Sequence, residues 1–199
     1  MKEKPIIFST PMVKALLNTR PGVWPPEPID PSKPFKSQTR RVVPETKAEF
    51  IHVYADGKTT VKPKYNAGDI LWVREMWNYY PDWKCKVGQK RPDFLYKASA
   101  TQEEESWLDK WKPSIHMPRE AARIFLEVKS VRVERLWKIC ERDARAEGVC
   151  PIPPNKYGQL SGTEHFYAFF RLWNSINAKR GYSWESNPWV WVYEFLRIK

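Results

Sequence analysis

The densest run of chemistry-bearing side chains is Lys36-Ser37-Gln38-Thr39-Arg40-Arg41, which leaves a proline-rich stretch and enters an apolar strand. Strict alternation places Lys36, Gln38 and Arg40 on one face and Thr39 and Arg41 on the other. If Lys36 still belongs to the preceding turn, its amine and the Thr39 hydroxyl converge. A lysine crowded by arginines and partly desolvated holds its proton less tightly, and the neutral amine can then accept a proton from a threonine. The same residues also describe a solvated basic edge strand that contacts phosphates or nothing.

A second cluster, Asp69, Arg74 and Glu75, surrounds Ile70 to Val73, with Trp72 and Trp77 nearby. Arg74 suits an anion clamp and Trp77 a stacking surface for a base, the combination used on single-stranded nucleic acid. A plain Arg74 and Glu75 pair tying the strand end to its neighbours is the alternative. Trp111 to Arg119 (WKPSIHMPR) packs Trp, His, Met and Arg between two prolines, and His116 could donate to a base or to a developing oxyanion, or be a structural histidine. In Asp143 to Gly148 (DARAEG), Asp143 and Glu147 are four apart and share a helical face, so one carboxylate can point into a cleft while the other caps or pairs. Ordinary helix solvation is the plainer reading of that pair.

These groups need a frame. Pro5 to Ser9 reads as a strand, and Thr10-Pro11 starts a short helix with Thr10 as N-cap and Met12, Ala15 and Leu16 on its apolar face. Arg20 to Phe35 is too rich in proline for helix or central strand, and is expected to be an ordered flap or a mobile loop. Strands follow at Gln38 to Val43, at Phe50 to Tyr54 and Lys58 to Lys62 around Asp56-Gly57, at Ile70 to Val73 and at Phe94 to Lys97. Arg123 to Leu136 alternates like a half-buried strand, with a slip expected near Ser130 and Val131. Glu141 to Glu147 is a short helix closed by Gly148. Ser161 and Glu164 suggest a capping box for a helix carrying Phe166, Phe169, Phe170, Trp173 and Ile176. Trp189 to Ile198 is apolar on both faces and is expected to be a central strand. Many strands, few helices and no repeat point to an α+β chain organised as a small barrel, with 1–199 as a single domain and 20–35 inserted as a proline-rich loop.

Composition narrows the partner. Lys and Arg number 34 against 23 Asp and Glu, a formal net charge of +11, and the aromatic content is high with 11 Trp. The surface therefore attracts polyanions, and RNA, single-stranded nucleic acid or a modified nucleoside is the expected partner. A membrane partner is not expected, because no basic amphipathic helix and no spanning apolar stretch is visible, and the short apolar run at the N-terminus does not suit a signal peptide. Cys85, Cys140 and Cys150 lack paired spacing, and His52, His116 and His165 are scattered. A reducing, cytoplasmic setting with no metal and no cofactor is expected. Walker, Rossmann and nucleophile-elbow patterns are absent.

Taken in order, PIIFSTPMVKALL, KSQTRRVV, GDILWVRE, WKPSIHMPREAARIFLEV, VRVERL, DARAEGV, and LWNSIN followed by NPWVWVYEF resemble the ASCH family of PUA-like β-barrels, in particular its phage and prophage branch. The resemblance implies a small PUA-like (ASCH) β-barrel with flanking short helices around a cleft suited to RNA or a nucleoside, in a bacterial host cell. Some bacterial members are amidohydrolases that remove an acyl group from the exocyclic nitrogen of cytidine with a lysine, a threonine and a glutamate. Those residues look like Lys36, Thr39 and Glu147. Other members are nucleases or binding modules. This chain departs from the pattern in its proline-rich insertion and in Ser37, where threonine is usual. On this reading Arg40, Arg41, Arg74, Glu75, Trp77, Trp111, His116 and Arg119 surround the ligand.

Overall fold

The computed structural model describes residues 2–44, 47, 51, 60–81, 94–153 and 161–199, and the expected hairpin around Asp56-Gly57 lies outside them. Strands β1 (Glu3–Ile7), β2 (Gln38–Val42), β3 (Ile70–Arg74), β6 (Phe125–Arg135) and β7 (Trp189–Arg197) form one sheet in the order β1-β3-β6-β7-β2. Among the described strands only the β1 and β3 pair runs parallel. A separate hairpin pairs β4 (Trp77–Tyr79) with β5 (Phe94–Tyr96). Helices α1 (Thr10–Leu17), α2 (Gln102–Ser106), α3 (Glu141–Ala146) and α4 (Glu164–Asn177) complete the α+β architecture.

The sheet does not close, which corrects the barrel expectation: β1 and β2 are both edges and share no ladder. A side chain spans the gap instead, where Arg41 Nη2 of β2 donates to the Ile7 carbonyl at the end of β1 at 2.8 Å.

Two cores explain why β7 is apolar on both faces over most of its length. Trp191, Tyr193 and Phe195 face a cluster that includes Ile6, Phe8, Leu16, Leu71 and Leu126. Val190 and Val192 face a second cluster with Leu136, Ile139, Phe169 and Trp173. Period-two alternation sends Trp191, Tyr193 and Phe195 to one core and Val190 and Val192 to the other, while Glu194 meets Ser130, and β7 is interior between β6 and β2, as expected from its sequence. The slip in β6 is present too, between Val128 and Ser130.

Helix starts differ by a residue or two from expectation. Ser9, not Thr10, is the N-cap of α1, and α4 begins at Glu164 after Thr163. Glu164 still caps, accepting from the Gly162 amide at 3.1 Å and from the Ser161 hydroxyl at 3.1 Å.

One side chain ties the end of the proline-rich loop to α1. Asn18, just past α1, donates to the carbonyls of Asp30, Lys33 and Pro34 at 2.9, 3.0 and 3.1 Å and accepts from the Asp30 amide at 2.8 Å. Gly22, at φ 75°, donates its amide to the Arg197 carbonyl at 2.8 Å. Both ends of the loop are thereby fixed to regular elements.

Candidate functional site

Lys36 lies two residues before β2, in an isolated antiparallel bridge with Glu147 and not in a turn, and three elements fix it there. Its amide donates to the Ala15 carbonyl in α1 at 3.2 Å, while Thr19, fully buried, donates its hydroxyl to the Lys36 carbonyl at 3.0 Å. Next to it, the Ser37 amide donates to the Ala146 carbonyl of α3 at 2.9 Å. Gly148 makes this approach possible. At φ 78° it ends α3, and a Cβ there would stand 2.8 Å from the Lys36 Cβ and 2.9 Å from the Ala15 Cβ.

The buried side chain then reaches the end of α3. Lys36 Nζ donates to the Glu147 carbonyl at 2.6 Å and to its carboxylate at 3.1 Å, although the two residues are 111 positions apart. Lys36 is 1% exposed and Glu147 4%. Arg40 holds the other Glu147 oxygen at 3.1 Å and also reaches Glu134 at 2.8 Å and Asp143 at 3.0 Å. Burial pushes the Lys36 ammonium below the usual lysine range; the Glu147 carboxylate opposes this shift, and Arg41 and Arg40 reinforce it.

Lys36, Thr39 and Glu147 line one cavity of about 420 Å³. Its polar wall comes from β2 and the end of α3, and its apolar wall is Phe8, Met12 and, from α4, Phe169, Leu172, Trp173 and Ile176. A second cavity of about 780 Å³ shares Ile7, Arg41 and Val42 with the first. It lies in the open gap of the sheet, between β1 residues Pro5 to Ile7 and β2 residues Arg41 and Val42, over buried Tyr65, Trp191 and Tyr193. No residue of 20–35 lines either cavity among the described residues; Trp24, Pro25, Pro26 and Pro28 border a separate hollow with Gln38, Asp143 and Glu194.

The remaining sequence candidates divide. Arg41 lines both cavities and Arg74 the larger one, where its Nε donates to the Met117 carbonyl at 3.0 Å. Arg40 borders the smaller cavity, but its guanidinium is committed to carboxylates, which does not suit phosphate capture. Glu75 is 1% exposed and accepts from Arg123 through both oxygens at 2.9 Å, so its partner is not Arg74. Trp77 is buried against Met117 and Ala121, which leaves no face for a base. Trp111, His116 and Arg119 line neither cavity; Arg119 pairs with Glu3 at 2.8 Å and His116 is exposed on a 3-10 turn. The segment Trp111 to Arg119 instead packs under the β4-β5 hairpin, with Met117 as its buried residue. Sequence reading missed Thr19 and the α4 wall, because a threonine after a helix and an aromatic stripe look like ordinary structure. Among the described residues no group of His, Cys, Asp and Glu suits a metal ion, and no helix is long and apolar enough to cross a membrane.

A comparison with protein-family models finds no match, and neither does one with curated proteins. Among solved structures, the chain is similar to an ASCH domain from Lactobacillus crispatus, at 11% identity and a TM-score of 0.34. The match covers 82% of this chain and 64% of that one, so the chain spans less than two thirds of that protein's length.

Proposed function

We propose that this protein is an ASCH-type, PUA-like domain of the phage branch that recognises a nucleobase in the 420 Å³ cavity beside Lys36. The observation that carries the reading is the pairing of walls. A base has two apolar faces and polar edges, and here a wall of Phe169, Leu172 and Trp173 faces Lys36, Thr39 and Glu147. The net charge of +11 favours ligands that carry phosphate. Calorimetric titration with cytidine and N4-acetylcytidine tests this: saturable one-to-one binding that Trp173→Ala weakens is expected. Absence of heat for both ligands up to their solubility limits would overturn it.

A second reading, amide hydrolysis, is favoured by the buried Lys36 and Glu147 contact in the cavity that also holds Thr39. In this scheme the neutral Lys36 amine takes the Thr39 proton as the threonine oxygen attacks the acyl carbonyl of an N4-acylated cytidine. The lysine then returns that proton to the leaving exocyclic nitrogen, and water hydrolyses the resulting threonine ester. Glu147 accepts from two cations, which makes it an orienting group for Lys36 rather than the acid that protonates the leaving nitrogen. With His116 outside the cavity, Arg41 and Arg180 are the lining cations within which an oxyanion would develop. Release of cytidine from N4-acetylcytidine, followed by chromatography, is expected from the wild type and not from Thr39→Val. Equal release by both would remove the scheme.

A further inference from the structure

We infer that the ligand is a nucleotide within a single strand, not a free nucleoside, and that the open gap of the sheet is the track of the strand. The inference rests on the base-pocket reading and concerns the adjoining 780 Å³ cavity. Each cavity alone falls within the roughly 300 to 1,000 Å³ that encloses one small ligand. The two share a wall at Ile7, Arg41 and Val42, and a nucleoside seated in the smaller one leaves the larger unfilled.

The lining of the larger cavity states what fills it. Arg41, Lys47, Lys62, Lys64 and Arg74 all face it, and no carboxylate does among the described residues. In the smaller cavity, by contrast, Glu147 answers the lysine and the arginine. Five cations with no carboxylate among the described lining residues suit several anionic groups in succession, as a phosphodiester backbone provides. Lys62 and Lys64 are exposed and both line the larger cavity, beside the buried Tyr65. Tyr65 and Tyr193 stand edge to face at 5.2 Å beneath them and are buried, which supplies a firm apolar floor for sugars and bases. Arg41 belongs to both cavities and marks where the strand would turn its base toward Lys36.

A nucleoside triphosphate offers similar charge, so the test separates the two sources. Affinities of the full chain for cytidine, cytidine triphosphate and a seven-nucleotide cytidine-containing RNA are measured at about 50 and about 200 mM salt. With three phosphates neutralised, the RNA should bind roughly a hundredfold tighter than cytidine at the lower salt and lose roughly twentyfold at the higher, a logarithmic slope of about −2. Lys62→Ala/Lys64→Ala should bring that slope to about −0.7 and shrink the advantage of RNA over nucleoside. Triphosphate binding as tight as RNA, or a slope the double variant does not change, would overturn the strand inference while leaving the base pocket standing. Failure of all three ligands would instead overturn the base pocket itself.

Discussion

At the scale of single residues, the site is a charge problem solved by pairing. Lys36 and Arg40 share the Glu147 carboxylate in a buried setting, where an unpartnered charge costs far more than a paired one gains. Glu147→Ala takes from Lys36 its carboxylate partner, while Arg40 keeps Glu134 and Asp143, and should destabilise the fold by about 3 kcal/mol in urea unfolding. Lys36→Met leaves Glu147 its Arg40 partner and should cost clearly less; the opposite order would contradict this assignment of partners. The lysine also sets a pH dependence. Its folded-state proton affinity is lowered by burial, so between the folded value and that of a free lysine the unfolded chain binds more protons. Stability contributed by this site therefore rises with pH across that window, and Lys36→Met should flatten the rise in pH-dependent melting. If hydrolysis occurs, its rate should climb with pH over the same range as the amine becomes neutral.

At the scale of elements, position comes from the joints. Gly148 both ends α3 in the left-handed region and leaves space that Lys36 and Ala15 occupy. Gly148→Ala combines backbone strain with a collision and should cost about 2–4 kcal/mol, displacing Lys36 and weakening ligand binding. Gly162→Ala meets nothing within 4 Å and should cost only the backbone term, about 1–2 kcal/mol, which makes it the control. The sequence made much of this legible. The glycine after DARAE, the alternation in β6 with its slip, and the two-sided apolar character of β7 each have a local physical signature. The Lys36, Thr39 and Glu147 grouping was legible through family resemblance more than through spacing. What local patterns do not encode is pairing at a distance: Arg123 takes Glu75 from across 48 residues, and three carboxylates take Arg40. The Trp111 to Arg119 segment shows the cost of reading composition alone, since its Trp, His and Arg line neither cavity. Helix α2 went unread although Thr101 and Glu104 form a complete capping box.

At the scale of the whole molecule, the unclosed sheet is the feature that makes a cleft. A ladder between β1 and β2 would fill the gap now lined by Pro5, Ile7, Arg41 and Val42. Two cores, one on each face of the sheet, hold the edges without that ladder. The proline-rich loop is a separate fixture, clamped by Asn18 and turned toward its own hollow. Asn18→Ala should hasten proteolysis within 22–34 and leave affinity at the base pocket unchanged; coupled changes in both would show that the loop governs access after all. On the proposed function, the amine, the hydroxyl and the carboxylate beside β2 border a space that a pyrimidine enters. Crystals of the protein soaked with N4-acetylcytidine test it most directly. Density for the base between Trp173 and Lys36, with a ring edge within hydrogen-bond reach of Thr39 or Glu147, is the predicted result. Ligand bound elsewhere, with that space empty at saturating concentration, would contradict it.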